Sequence, residues 1–116
     1  MADWYLKKGD SEEPMVFDLS DSAGLVELGA PGTEVQFQMR QAGSGETKVD
    51  AAAVVDPDQT NHRGRVRYYW DLEDVDTAGT FWGEFKVTFP DGKIATFPNG
   101  EAYIEIEIGA GVDDLS

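Results

Sequence analysis

The sequence predicts a single all-β domain, an antiparallel β-sandwich of about seven to eight strands. Three observations support this prediction: apolar residues at every second position, turn residues between those segments, and a length of 116 residues. A chain of this length removes roughly two thirds of its unfolded surface from water on folding, which is enough for one core. Hydrophobic residues make up 41% of the chain, a share typical of a folded domain rather than a disordered segment.

Four segments alternate apolar and polar residues with the period of two that a half-buried strand requires. Helical spacing fits none of them. In the first segment, Val35, Phe37 and Met39 share one face. The inward residues of the other three are Val66, Tyr68 and Trp70; Phe81, Gly83, Phe85, Val87 and Phe89; and Ile104, Ile106 and Ile108.

Glycine and proline separate the predicted strands. The stretch AGSGETK, which begins at Ala42, can turn the chain because glycine adopts positive φ without strain, so it links Val35–Arg40 to the run VDAAAVVD. The stretch PDG suits a type I turn and predicts a hairpin between Phe81–Phe89 and Lys93–Phe97. The other predicted elements are strands from Trp4 and over Met15–Leu19, a loop DPDQTNHRG, a tight turn at Pro98–Gly100 and a short helix within DLEDVD.

Composition predicts one domain with a short tail. No linker, internal repeat or low-complexity tract divides the chain, so residues 1–108 form the predicted sandwich and residues 109–116 (GAGVDDLS) a Gly-rich acidic C-terminal tail. The chain has no cysteine, which excludes a disulfide framework, a thiolate metal site and a cysteine nucleophile.

The charge of the chain disfavours two classes of partner. Its net charge is −14, from 23 acidic and 9 basic residues, and a field of that sign repels phosphate backbones and anionic lipid. The N-terminal stretch MADWYLKKGDSEEP lacks the apolar segment of a signal peptide. We therefore expect neither nucleic-acid nor membrane binding, and a protein that is used in the cytoplasm or leaves the cell by lysis or within a particle.

Residues suited to catalysis are scarce. His62 is the only histidine and lies between Asn61 and Arg63 in a polar loop, where a solvated side chain is expected. No serine or cysteine motif accompanies it. Carboxylates cluster in DLEDVD, but a chain this acidic places carboxylates together by composition alone. The sequence predicts no enzyme, no catalytic residue and no cofactor.

Metal binding remains an open alternative. The stretches DLEDVD and DPDQTN resemble oxygen-rich calcium loops, yet neither has the glycine and glutamate positions of an EF-hand. Solvated acidic turns are the expectation, and no metal ligand is predicted. The Gly-rich stretches AGSG and GAPG have no Lys-Ser/Thr completion, so they do not predict phosphate binding.

Large aromatic side chains are the main candidates for function. Strand alternation directs Tyr69, Trp82 and Tyr103 away from the apolar face, and of the adjacent Trp4 and Tyr5 one must also face outward. Exposed aromatics beside glutamates are typical of interface anchors. The five residues are therefore the predicted partner interface. The alternative is structural, because outward aromatics also cover cross-strand neighbours.

The stretch DTAGTF, from Asp76 to Phe81, resembles the bend before the sixth strand of immunoglobulin-like domains. In those domains a tyrosine usually follows the bend and bonds through its hydroxyl to upstream backbone. Phe81 stands in that place here, so only ring packing is expected at the corner. The fold class predicted is accordingly an immunoglobulin-like antiparallel β-sandwich.

A wider resemblance covers nearly the whole chain. The stretches KKGDSEEPMVFDLSDSAG, TEVQFQMRQAGSG, GRVRYYW, DTAGTFWGEFKVTFPDGKIATFPNG and AYIEIEI follow in this order. Their order resembles the immunoglobulin-like N-terminal domain of bacteriophage baseplate upper proteins and related small tail or virion proteins. Full baseplate upper proteins continue into regions that dock receptor-binding proteins, so the resemblance does not fix a position within a particle.

The resemblance implies a non-enzymatic structural protein of a bacteriophage virion, assembled in the host cytoplasm. It would dock in multiple copies on the tail or baseplate through contacts with other phage structural proteins and with copies of itself. Two alternatives remain open. One is a capsid decoration or head-fibre protein with the same fold. The other is a carbohydrate-binding module in which Trp82, Tyr69 and Tyr103 stack against host-surface glycans.

Overall fold

The computed structural model describes residues 3–98 and 103–110 of the chain. Strands and one 3-10 helix alternate with turns along these residues. In chain order the elements are β1 (Trp4–Lys7), β2 (Met15–Asp18), β3 (Ser20–Asp21), β4 (Gly24–Leu25), β5 (Glu34–Gln41), β6 (Thr47–Ala52), β7 (Val54–Val55), β8 (Arg65–Tyr68), the 3-10 helix (Leu72–Val75), β9 (Gly79–Thr88), β10 (Ile94–Phe97) and β11 (Ile104–Gly109).

Two sheets pack against each other. The larger sheet has the strand order β1-β11-β9-β5-β6, and β10 also pairs with β9. β11 lies along the first half of β9 and β10 along its second half. The smaller sheet has the order β2-β8-β7, while β3 and β4 form a separate two-stranded hairpin. The predicted immunoglobulin-like β-sandwich is thus confirmed as the fold class.

Aromatic rings join the two sheets at the centre of the core. Phe37 on β5 is fully buried, and its ring centroid lies 4.7 Å from that of Tyr68 and 5.8 Å from that of Trp70. The ring also lies over Gly83 of β9, where an added Cβ would be 2.8 Å from a Phe37 ring carbon. Glycine at this inward position therefore gives Phe37 the space that it fills.

Both predicted hairpins are confirmed. β5 pairs with β6, and the connecting stretch has Gly43 at a φ of 87° and Gly45 at a φ of 76°, which favour glycine. β9 pairs with β10, and the turn between them is closed by a bond from the Gly92 N–H to the Phe89 carbonyl oxygen at 2.9 Å. The glycines and the PDG stretch therefore lie in the β5–β6 and β9–β10 turns that they predicted.

The strands differ from the prediction in two places. The run VDAAAVVD is not one strand: β6 ends at Ala52, and β7 belongs to the other sheet. Between β6 and β7, where the chain passes from one sheet to the other, the Ala53 N–H donates to the Val35 carbonyl oxygen at 2.9 Å. The wholly antiparallel sandwich is also wrong, since β1 pairs with β11 in parallel. β1 continues into a loop that leads to the other sheet, so no tight hairpin imposes antiparallel pairing on it.

Eight of the described strands have four or more residues, in agreement with the predicted count, and three further strands have two residues each. Trp70 is buried as predicted, but it lies beyond the end of β8. The predicted turn at Pro98–Gly100 lies outside the described residues except for Pro98, and the predicted tail lies outside them from residue 111 onward.

A hydroxyl bond does form near the predicted corner, but from another residue. Phe81 is buried and has no hydroxyl, as expected. The Tyr68 hydroxyl instead donates to Asp74 Oδ2 at 2.5 Å, and the Asp71 N–H donates to the same oxygen at 2.9 Å. Burial, together with the Asp74 carboxylate, raises the pKa of Tyr68. The short helix predicted in DLEDVD is a 3-10 helix. The bond from Tyr68 to Asp74 connects this helix to β8.

Candidate interaction surfaces

The outward side of the larger sheet, called the large face here, carries an aromatic pair. Trp82 on β9 and Tyr103, which precedes β11, have ring centroids 4.6 Å apart at an interplanar angle of 35°. The guanidinium carbon of Arg40 lies 5.8 Å from the centre of the Trp82 ring. Cross-strand register places Arg40, Trp82 and Glu105 in one row over three strands. Trp82 is consequently half-buried, while Tyr103 is 43% exposed.

Polar side chains on the large face bond to one another across strands. Gln36 and Gln38 on β5 both donate to Asp50 Oδ1 on β6, at 2.5 and 3.3 Å. The Thr80 hydroxyl donates to Glu107 Oε2 at 2.7 Å. These cross-strand bonds restrict the rotamers of the side chains around the aromatic pair, so this face is held in shape by its own contacts.

Tyr5 extends the large face to the edge strand β1. Its side chain is 65% exposed, and its residue is in register with Glu107 of β11. Trp4 is directed to the inner side, where its ring centroid lies 6.2 Å from that of Phe17. Of the two adjacent aromatics, Tyr5 is therefore the one that faces solvent.

The outward side of the smaller sheet, called the small face here, also carries exposed apolar side chains. Val16, Arg67 and Val54 lie in one cross-strand row. Val54 is 47% exposed, and Tyr69, just beyond β8, is 56% exposed. The only charged member of the row is drawn to one side, since Arg67 Nη1 binds Asp56 Oδ2 at 2.6 Å. Val16, Val54 and Tyr69 on this face thus remain 36–56% exposed.

The two faces keep the candidate aromatics apart. Trp82 and Tyr103 lie on the large face, whereas Tyr69 lies on the small face, at the other side of the core. The three rings therefore do not form one sugar-stacking platform. Sequence reasoning missed Val16 and Val54, although the inward positions of Met15 and Phe17 carry the alternation that would have identified Val16.

The prediction of a solvated His62 is wrong in part. The ring is 40% exposed, but Nδ1 is buried and lies 3.3 Å from Asp56 Oδ2. Asp56 itself is buried, and it also accepts a bond from the Asp58 N–H at 2.8 Å. That backbone bond, together with Arg67, lowers the pKa of Asp56. The cause is the fold of the loop, which brings residues 56 to 62 back onto β8.

The two stretches that resemble calcium loops direct carboxylates at protein donors. Asp58 accepts bonds from the backbone and side chain of Asn61, and Asp74 accepts from Tyr68. Over residues 3–98 and 103–110, the structure contains no group of three or more histidine, aspartate or glutamate side chains placed to hold a metal ion. Nor does this part of the chain contain a helix long and apolar enough to cross a membrane.

Comparison with known proteins adds little. No protein-family model matches this chain, and no curated protein matches it. Among solved structures, the chain is similar to the crystal structure of CopC from Methylosinus trichosporium OB3b, with a TM-score of 0.49 and 12% sequence identity. The alignment covers 95% of this chain and 86% of the CopC chain. A likeness of this degree supports no inference about function, which must come from the surfaces described above.

Proposed function

We propose that this protein is a non-enzymatic structural component of a bacteriophage virion that docks in multiple copies on the tail or baseplate. Its partners would be other phage structural proteins and copies of itself, joined in the host cytoplasm during assembly. The proposal rests on the sequence resemblance and on the surfaces of the sandwich. It requires no catalytic group.

One observation supports the proposal most directly: exposed aromatic side chains occur on both outer faces of the sandwich. Tyr5 and Tyr103 are exposed on the large face, and Tyr69 on the small face. Tyrosine brings a large contact area with few rotatable bonds, which is why it is enriched at interfaces. A subunit that contacts a neighbour on each side needs two such surfaces, and this fold carries them back to back.

The aromatic pair on the large face suits docking because it is already ordered. Trp82 is held between Tyr103 and Arg40, so little side-chain entropy remains to be lost when a partner covers it. The net charge of −14 keeps free copies apart before assembly. Contacts between copies would therefore form on a partner scaffold rather than in free solution.

Immunogold labelling tests the proposal. Phage particles are purified from a culture whose cells carry the gene for this chain. A gold-labelled antibody raised against the chain is applied to them, and the particles are viewed by negative-stain microscopy. Gold at the tail or baseplate is the expected result, and gold on the head supports the alternative of a decoration or head-fibre protein. Absence of the chain from purified particles contradicts both assignments.

A second candidate, a carbohydrate-binding module, is favoured by one feature of the large face. The Trp82 and Tyr103 rings, which pack against each other at a tilt of 35°, lie next to polar side chains, including Glu105, which is in register with Trp82. Such a pair could stack on a sugar ring while a carboxylate bonds to its hydroxyls. Glycan binding that is lost in Trp82→Ala supports this candidate, whereas no binding across a broad glycan array rejects it.

A further inference from the structure

A cleft opens where the edge strand β6 leaves the larger sheet. β6 ends at Ala52, opposite Gln36, and the chain then passes to β7 in the other sheet. The next outward row of the large face, which contains Glu34 and Thr88, therefore has no member on the β6 side among the described strands. The cleft at this place has a volume of about 490 Å³, which is a size typical of small-molecule sites.

Part of the lining is apolar and consists of short side chains. Ala52, Ala53 and Val55, from the end of β6 and the start of β7, line the cleft. Ala53 and Val55 also pack against the core, so the sandwich itself holds this wall in place. Short side chains on a fixed wall leave room for an apolar group of a ligand.

The lining also contains one cation and one anion that do not pair with each other. Lys86 on β9 is in register with Gln36, and Glu34 on β5 with Thr88, so Lys86 and Glu34 are diagonal neighbours on the large face. Such neighbours lie roughly 7–8 Å apart in a sheet. Within residues 3–98 and 103–110, neither side chain forms an ion pair with any group.

The polar side chains beside these charges have bonding capacity to spare. Gln36 donates through Nε2 to Asp50, and its Oε1 accepts no bond from the described part of the chain. The Thr88 hydroxyl likewise forms no hydrogen bond there. The cleft thus offers acceptors at Glu34 and Gln36 and donors at Lys86 and Thr88, next to an apolar wall.

We infer that this cleft binds a zwitterionic molecule of about dipeptide size, with a free ammonium group, a free carboxylate and an apolar side chain. The ammonium group would bond to Glu34, the carboxylate to Lys86, and the apolar side chain would contact Ala52 and Val55. A zwitterion has no net charge, so the net charge of −14 does not repel it. A ligand with a single charge would complement one of the two protein charges and be repelled by the other.

This inference does not depend on the virion assignment, because it concerns the free chain and a small molecule. The probe is the dipeptide Ala-Val, added to ¹⁵N-labelled full-length protein near pH 7. We expect saturable amide shifts at Gln36, Ala52, Ala53 and Val55. Half-saturation is expected at about 1–10 mM, because partly exposed ion pairs contribute little binding energy each.

Blocked dipeptides test the requirement for both charges. N-acetyl-Ala-Val lacks the ammonium charge, Ala-Val amide lacks the carboxylate charge, and the doubly blocked dipeptide lacks both. Each singly blocked form should bind about threefold more weakly than Ala-Val, and the doubly blocked form about tenfold more weakly.

Variants of the protein assign each ligand charge to its partner. Lys86→Met and Glu34→Gln should each weaken Ala-Val binding about threefold. Glu34→Gln should not weaken binding of N-acetyl-Ala-Val, because the group that it contacts is already absent from that ligand. Lys93→Met and Glu46→Gln make the same changes in charge at exposed residues outside the cleft, and they should leave Ala-Val binding unchanged. Thermal melts check that all four variants are folded.

Three results would overturn the inference. The first is the absence of saturable shifts in the cleft up to about 50 mM Ala-Val. The second is equal binding of Ala-Val and the doubly blocked dipeptide, which indicates apolar contact alone. The third is equal weakening by the cleft variants and their controls, which indicates a general effect of charge.

Discussion

The exposed apolar side chains of the two outer faces of the sandwich have different neighbours. On the large face, Trp82 lies against Tyr103 and under Arg40, and the surrounding polar side chains bond across strands. On the small face, Tyr69 and Val54 extend into solvent. The arginines of that face bind carboxylates, Arg65 with Asp18 and Arg67 with Asp56.

The difference shows that an outward position in a strand does not by itself make an aromatic residue available to a partner. Trp82 has cross-strand neighbours of the right shape and charge, so part of its surface is already used within the chain. Tyr69 follows the last residue of β8 and has no cross-strand partner among the described strands. In the proposed assembly, the large face would therefore contribute to stability as well as to docking, and the small face mainly to docking.

Gly83→Ala is expected to have the largest effect on stability. The new methyl group would lie on the inner side of β9, 2.8 Å from a ring carbon of Phe37 and 3.0 Å from Ile106 Cδ1. Overpacking of this kind lowers the free energy of unfolding by roughly 1–3 kcal/mol, measured by urea denaturation. Gly109→Ala is the control, since its nearest contact is the Leu6 carbonyl oxygen at 3.7 Å. Equal losses in both variants would contradict the packing described for Phe37.

Trp82→Ala and Tyr69→Ala test the comparison between the faces directly. Because Trp82 is half-buried and packs against Tyr103, its removal should lower the free energy of unfolding by about 2 kcal/mol. Removal of Tyr69 should change it by less than about 0.5 kcal/mol. Thermal melts of the two purified variants provide the measurement. A larger loss for Tyr69→Ala would show that the small face, rather than the large one, is held by its aromatic residue.

A pH-dependent effect is expected for Asp56→Asn, because Asp56 binds Arg67 beneath the small face. The pKa of Asp56 is lowered by the Asp58 N–H and by Arg67, so its contribution to stability is present above the unfolded pKa and is lost as pH falls through the folded value. His62 also faces this carboxylate. Asp56→Asn should be less stable than the parent at pH 7, and the gap should narrow below about pH 5.

Urea midpoints of both proteins at neutral and acidic pH measure this gap. Glu34→Gln is the control, because Glu34 is exposed and forms no ion pair within the described part of the chain. A gap that stays constant between pH 7 and pH 3 would show that the ionised Asp56 carboxylate does not stabilise the loop.

Local signals in the sequence were sufficient for most of the fold. Alternation identified the inner residues of β5, β9 and β11, and glycine and proline identified two hairpins, because both depend on neighbours a few residues away. Two features depend on distant parts of the chain and could not be predicted in this way. They are the parallel pairing of β1 with β11 and the switch of sheet after Ala52.

The candidate surfaces were predictable to a lesser degree. Alternation correctly directed Tyr103 and Trp82 to one outer face, but the Arg40 contact that covers Trp82 requires the register of β5 on β9. The placement of Tyr69 on the opposite face required knowledge of which strands share a sheet. The bond from Tyr68 to Asp74 likewise depends on the position of the 3-10 helix against β8.

The central claim is that exposed tyrosines on the two faces dock this protein into a particle, and the copy number per purified particle tests it most directly. Quantitative immunoblots would compare the parent chain with Tyr5→Ser/Tyr69→Ser, and with Leu25→Ser as a control at an exposed residue of the separate β3–β4 hairpin. The account predicts fewer copies of the tyrosine variant per particle, at an unchanged melting temperature, and normal incorporation of the control. Incorporation of the tyrosine variant at the parental level would contradict it.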